Sequence, residues 1–249
     1  MASSRSRIHA LDELRGFCLV LMIFFHAFYT LGYMFSLPLA RDLFRFFEPV
    51  EPLFAGIFIA LCGFSCRLSR SNLKRGLLLS VVSVALTAAT YAFSAIDGIG
   101  DVTIWFGVLH CLSVCILLFT VLQKPLARIP TWLGLILTAV LFTLTFGMLE
   151  GYVGIGAFRW YFPTEWLANK WLAPLGIGFL YSADFFPVFP WFFCFLFGAY
   201  LGNYKSKLPK WTRRQHLRPL AFLGRHSLWV YLAHQPIIFG IAYVIDFII

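Results

Sequence analysis

Seven apolar runs, parted by charged segments, constrain this chain more than any other feature. They lie roughly at Gly16–Phe35, Pro52–Cys66, Gly76–Ser94, Ile104–Leu122, Trp132–Met148, Phe185–Leu201 and Leu228–Ile248. About 20 apolar residues in helical form span the hydrocarbon layer of a membrane. The second run is short and borrows turns from Phe44–Val50 before it. Trp171–Tyr181 is also apolar but is broken by Pro174, Gly176 and Gly178. It reads as a re-entrant or interfacial piece, with an eighth span as the alternative. The composition agrees, with 60% hydrophobic and 12% charged residues, more apolar surface than a soluble domain of this length could cover. The expected fold is an all-α polytopic helical membrane protein of about seven transmembrane helices, formed as a single domain over residues 1–249.

The net charge of +9 does not point to nucleic acid, because the basic residues form no single patch. They alternate between loops, as the positive-inside rule requires. With the N-terminus in the cytosol, sixteen of the 20 basic residues fall inside, and of the 11 acidic residues only Asp12 and Glu13 do. The outer segments keep Arg41, Arg45, Arg159 and Lys170. Two spans within Trp171–Leu201 would send the seven basic residues of the last loop outside. Met1–Ile8, with Arg5 and Arg7, reads as a short basic tail and not as a cleaved signal. The expected location is the plasma (inner) membrane.

Arg15 and His26 stand eleven positions apart. On a helix this is three turns plus roughly 20°, so both share one face about 16 Å apart. Ionisable groups inside a bilayer face a polar interior or a pathway. Two more histidines lie within apolar runs. His26 sits about 15 Å from the inner start of its run, His110 about 9 Å below an outer start and His234 about 12 Å in from the cytosolic side. Each could be a structural histidine bonded to nearby backbone, or a base. An imidazole, with its ordinary pKa of about 6.5, accepts and returns a proton near neutral pH. Pro236 frees the carbonyl of Leu232 inside the last run, which could orient a polar neighbour. No HExxH pair and no carboxylate close in sequence accompanies the histidines, so no metal is expected. The six cysteines include Cys62/Cys66 and Cys111/Cys115 at i,i+4, and read as small buried apolar residues.

A second group, Arg15, Arg67, Arg70, Lys74, Arg75, Arg225 and His226, gathers at inner span ends. Topology and lipid head groups account for most of these charges. Arg15 and Arg225 adjoin helix starts, where planar guanidinium forks and free N–H groups favour phosphate, and a nucleotide-tailed donor would fit there. The long outer segment Leu149–Asp184 holds Tyr152, Trp160, Tyr161, Trp166, Trp171 and Tyr181. It reads as an interfacial aromatic belt or as a platform on which a sugar ring stacks.

Leu11-Asp12-Glu13-Leu14-Arg15-Gly16 with Met22-Ile23-Phe24-Phe25-His26 resembles the first helix of the transmembrane acyltransferases, and its Arg15–His26 spacing is that of the type-3 membrane acyltransferases. Three later stretches are similar to bacterial relatives of the heparan-α-glucosaminide N-acetyltransferase catalytic domain. They are Phe106-Gly107-Val108-Leu109-His110, Phe189-Pro190-Trp191-Phe192 with Gly198-Ala199-Tyr200-Leu201-Gly202, and Leu223-Gly224-Arg225-His226-Ser227-Leu228 continuing through Tyr231-Leu232-Ala233-His234-Gln235-Pro236. The resemblance implies transfer of an acetyl or short acyl group from cytosolic acetyl-CoA, a co-substrate and not a bound cofactor, to an amine or hydroxyl of a sugar or glycan acceptor. It implies His26 as general base, and the imidazoles of His110 and His234 within apolar runs are expected as further catalytic groups. Arg15, Arg67, Arg225 and His226 are assigned to the acyl-CoA donor, and Asp12, Trp191 and Gln235 to the acceptor. One departure stands out. The lysosomal sugar acetyltransferase has a histidine after its first span, whereas Thr30 to Leu53 holds none here, so that residue is not carried over. The alternative function is a small-solute or proton-coupled transporter using the intramembrane histidines as relay groups.

Overall fold

The computed structural model describes residues 7–96 and 100–248, with side chains through Val244. Arg5 of the basic tail lies outside the described residues. Among the described residues, ten α-helices carry most of the chain: α1 His9–Tyr29, α2 Pro38–Phe47, α3 Glu51–Cys66, α4 Asn72–Ser94, α5 Val108–Leu126, α6 Thr131–Thr145, α7 Thr164–Leu167, α8 Val188–Leu201, α9 Arg218–Arg225 and α10 Ser227–Ile248. Among the described residues, six stretches are long and apolar enough to cross a membrane: His9–Met34, Pro38–Cys66, Asn72–Ser94, Val108–Leu126, Thr131–Glu150 and Ser227–Val244. A shorter apolar helix, Val188–Tyr204, occupies the sixth expected run. The chain is therefore an all-α polytopic membrane protein. The second stretch gains its length by continuing through α2 and a 3-10 turn at Glu48–Val50 into α3. Residues 171–181 hold one 3-10 turn, Ala173–Leu175, and no spanning helix.

One departure from the all-helical expectation is a hairpin, β1 Tyr152–Ile155 against β2 Phe158–Tyr161. Its residues are aromatic or β-branched apart from Gly154 and Arg159, and Gly156, at φ 58°, supplies the left-handed turn residue that a two-residue loop needs.

The contacts gather into two compact units, Met1–Phe58 with Lys207–Ile249, and Ile59–Ser206. In the first, α1 crosses α9 backbone to backbone. A Cβ on Gly16 would lie 2.0 Å from the Leu220 carbonyl oxygen, and one on Gly224 would lie 1.8 Å from that of Asp12. Only glycine fits at such a crossing, the small-residue solution to helix packing in lipid. The second unit repeats the device where α3 meets α8: a Cβ on Gly63 would strike the Phe195 carbonyl and one on Gly198 that of Ala60, both at 1.9 Å. After α1, a π-helical stretch Thr30–Met34 leads to α2, and Arg41 donates from Nε and Nη2 to the Gly32 carbonyl at 3.3 and 3.1 Å.

Candidate functional site

Because α1 runs unbroken from His9 to Tyr29, Arg15 and His26 keep the shared face and the separation of about 16 Å expected of helical geometry. At its far end α1 packs on α10, and the His26 and His234 rings stand 5.0 Å apart between centroids, tilted by 52°. Phe25 flanks His26 edge-on at 5.7 Å, and Tyr231 flanks His234 at 5.4 Å. His234 is buried, and its Nδ1 donates to the Tyr231 carbonyl. A carbonyl only accepts, so Nδ1 bears the proton and the lone pair of the neutral ring sits on Nε2. The neighbouring Gln235 has a buried Oε1 with no hydrogen-bond partner among the described residues.

Toward the start of α1 lies a charge network. Asp12 is buried and accepts from Arg7 Nε at 2.7 Å and from Arg15 Nη1 at 3.4 Å. Arg15 Nη1 also reaches the Gly224 carbonyl at 3.5 Å, which ties the guanidinium to the glycine crossing. Glu13 Oε1 accepts from the backbone N–H groups of His216 and Leu217 at 2.6 and 3.0 Å, capping the entry to α9 with a carboxylate. Arg225, the last residue of α9, and His226, between α9 and α10, are exposed. His226 donates from Nδ1 to the Phe222 carbonyl at 2.9 Å, and its ring lies 4.4 Å from that of Phe222.

The other three candidates belong to the second unit. His110 lies nearer the start of its helix than the apolar run suggested. Gly107 is extended, so α5 begins at Val108, later than the apolar run suggested, and His110 falls in its first turn. Its Nδ1 accepts from the Gly107 N–H at 3.2 Å, so Nε2 carries the proton and donates to Thr87 Oγ1 at 3.1 Å. Asp184 Oδ2 accepts from the Val108 N–H at 3.1 Å at the same helix start. His110 thus serves as a cap. The Arg67 side chain donates from Nε to the Ala199 carbonyl at 3.1 Å and stacks 5.0 Å over the Phe119 ring. Burial pushes its guanidinium below the ordinary arginine value. Trp191 is buried against Phe142 and Phe186, at 5.7 and 5.5 Å between rings. The sulfurs of Cys111 and Cys115, both fully buried, lie 3.9 Å apart, and no three His, Cys, Asp or Glu side chains gather as metal ligands among the described residues.

The glycines of the two crossings and the histidines of α1 and α10 fall within one family model, described as heparan-alpha-glucosaminide N-acetyltransferase, catalytic, which matches residues 7–236. The chain belongs to that family. No curated protein and no solved structure matches it. As a member of the heparan-alpha-glucosaminide N-acetyltransferase catalytic family, the chain is an acetyltransferase-type membrane enzyme.

The stretches that carried the resemblance have visible structural work within the family fold. Gly198 and Gly202 open α8 to α3, where a Cβ on Gly202 would meet the Arg67 side chain at 2.8 Å. Gly224 opens α9 to α1. Two features escaped the sequence reading. Glu13 was visible only as one of two acidic residues expected on the basic side of the membrane. The other is a hydroxyl ladder on α4, at Ser80, Ser83, Thr87, Thr90 and Ser94, whose three- and four-residue spacing puts it on one face. Its upper rungs hold the segment before α5. The N–H groups of Val102 and Ile104 donate to Ser94 and Thr90, and Thr87 donates to the Ile104 carbonyl at 2.7 Å.

Proposed function

We propose that this enzyme transfers an acetyl or short acyl group from cytosolic acetyl-CoA to an amine or hydroxyl of a sugar or glycan, with His26 as general base. The reading rests on one observation above all: two imidazoles from distant parts of the chain meet at 5.0 Å inside apolar helices, one of them with its tautomer fixed. His26 takes the proton of the acceptor as its nitrogen or oxygen attacks the thioester carbonyl. The acyl bond to the acceptor forms, the carbon–sulfur bond breaks, and the departing coenzyme A thiolate receives the proton from His26. His234 lies beside the reacting base. Gln235 offers its buried carbonyl oxygen to an N–H or O–H of the acceptor. Arg15 presents its fork to the donor's phosphates, with Asp12 as a positioning residue that holds Arg15 rather than touching the acceptor. Arg225 and His226 add exposed donors in the same unit. His110 and Trp191 have roles within the fold of the second unit, and Arg67 is held there by Ala199 and Phe119.

The test is release of free thiol from acetyl-CoA by purified protein in the presence of glucosamine and a panel of sugar amines and alcohols. His26→Ala should abolish acceptor-dependent release while the protein still inserts and unfolds at the wild-type midpoint. Full turnover in that variant would remove His26 from the chemistry. Solute flux into liposomes lacking acyl-CoA would instead favour a transporter.

A further inference from the structure

The second unit contains a groove of about 370 Å³ where α6 ends and the hairpin folds back over it. Phe142, Phe146 and Ile155 give it apolar walls, and Tyr152 and Arg159 stand at its side. The volume falls within the range of small-molecule sites. From this groove we infer that the hairpin of this enzyme binds the phosphodiester of a membrane lipid, with the lipid's chain lying along Phe142 and Phe146.

Three observations carry this. The first is depth. The groove lies at the end of Thr131–Glu150, a stretch long and apolar enough to cross a membrane, so its mouth falls where lipid phosphates lie and its apolar wall continues toward the chains. The second is preorganised charge. The Arg159 guanidinium rests 4.3 Å over the Tyr152 ring, and that ring occupies the space left by Gly147, where a Cβ would lie 2.2 Å from it. The arginine is thus braced on a ring that is itself wedged against the helix end, leaving its planar fork to a phosphate. The third is the surrounding surface. Phe158 is 91% exposed, and Trp160 and Tyr161 on the same strand are exposed as well. Aromatic rings left bare in this way belong at the headgroup layer. Among the described residues, no carboxylate lines the groove to oppose a phosphate.

Native mass spectrometry of the protein released from detergent micelles tests the assignment, with phosphatidylglycerol, lysophosphatidylglycerol, inorganic phosphate and glucosamine as separate probes. Wild type should retain either lipid. Arg159→Gln should weaken retention about tenfold or more, the share expected of a charge-assisted hydrogen bond. Ile155→Glu, at a half-exposed hairpin position, should do the same by placing a carboxylate in the groove without disturbing the core. Inorganic phosphate should not displace the lipid. Undiminished lipid retention in both variants overturns the proposal. Equal competition by inorganic phosphate would make this a free-anion site, and displacement by glucosamine would make it a sugar site; either result overturns the lipid assignment. Thiol release by these variants is a separate reading and bears only on the acyl-transfer proposal.

Discussion

The glycine crossing of α1 and α9 gives a prediction whose sign separates tertiary packing from helix propensity. Replacing a mid-helix glycine by alanine should stabilise a helix by about 0.5–1 kcal/mol if nothing else changes. At Gly16 and Gly224 something must change. The added Cβ would lie 2.0 Å from the Leu220 carbonyl oxygen and 1.8 Å from that of Asp12, so reaching even 3.0 Å means opening the crossing by at least 1.0 or 1.2 Å. The obstacles are backbone atoms, which cannot swing aside as a side chain can. Overpacking of this kind costs about 1–3 kcal/mol, which offsets or exceeds the propensity gain and leaves a net loss centred on roughly 1 kcal/mol for either variant. Gly240, within α10, has nothing within 4 Å of its would-be Cβ and serves as the control. Unfolding by SDS titration of the purified protein should therefore destabilise Gly16→Ala and Gly224→Ala and stabilise Gly240→Ala. The double variant should lose less than the sum, because both changes require the same opening. Opening also pulls the Gly224 carbonyl from Arg15, so donor KM should rise with the stability loss. Gly16→Ala matching Gly240→Ala in sign and size would refute the crossing as drawn.

Other outcomes follow from the same geometry. His110→Ala should cost about 1–2 kcal/mol by stripping partners from the Gly107 N–H and Thr87, while thiol release per folded molecule stays near wild type; loss of activity at unchanged stability would return His110 to the chemistry. Glu13→Gln should weaken the entry to α9 by about 1 kcal/mol and speed hydrogen exchange at the His216 and Leu217 amides, and unchanged exchange would contradict the cap. Hydrogen bonds from the Thr103 side chain and backbone hold the Asp101 carboxyl below the usual aspartate range. A lowered folded-state value means that this contact contributes fully above the ordinary aspartate pKa of about 3.9 and is lost as pH falls through the folded value beneath it. Exchange at the Thr103 amide, normalised for intrinsic rate, should accelerate only in that acidic window, and Asp101→Asn should abolish the dependence.

The sequence by itself determined the spanning elements and the stripe. Apolar length gives spanning helices because, in lipid, backbone groups must find partners within their own segment, a local requirement that local composition answers. The eleven-residue spacing of Arg15 and His26 is likewise local, fixed once α1 is a single helix. Tertiary structure decided which groups meet. His234 reaches His26 because α10 packs on α1, and no residue near either histidine encodes that encounter. The place of His110 in the first turn of α5 turned on the extended Gly107 and on the carboxylate of the distant Asp184 at the helix start. The hairpin was legible as aromatic composition but not as strands, since Arg159 gains its place only when the Tyr152 ring finds the gap at Gly147. Where hydrogen bonding closes within a segment, the sequence is enough; where van der Waals fit between remote segments chooses the partner, only the folded chain can answer.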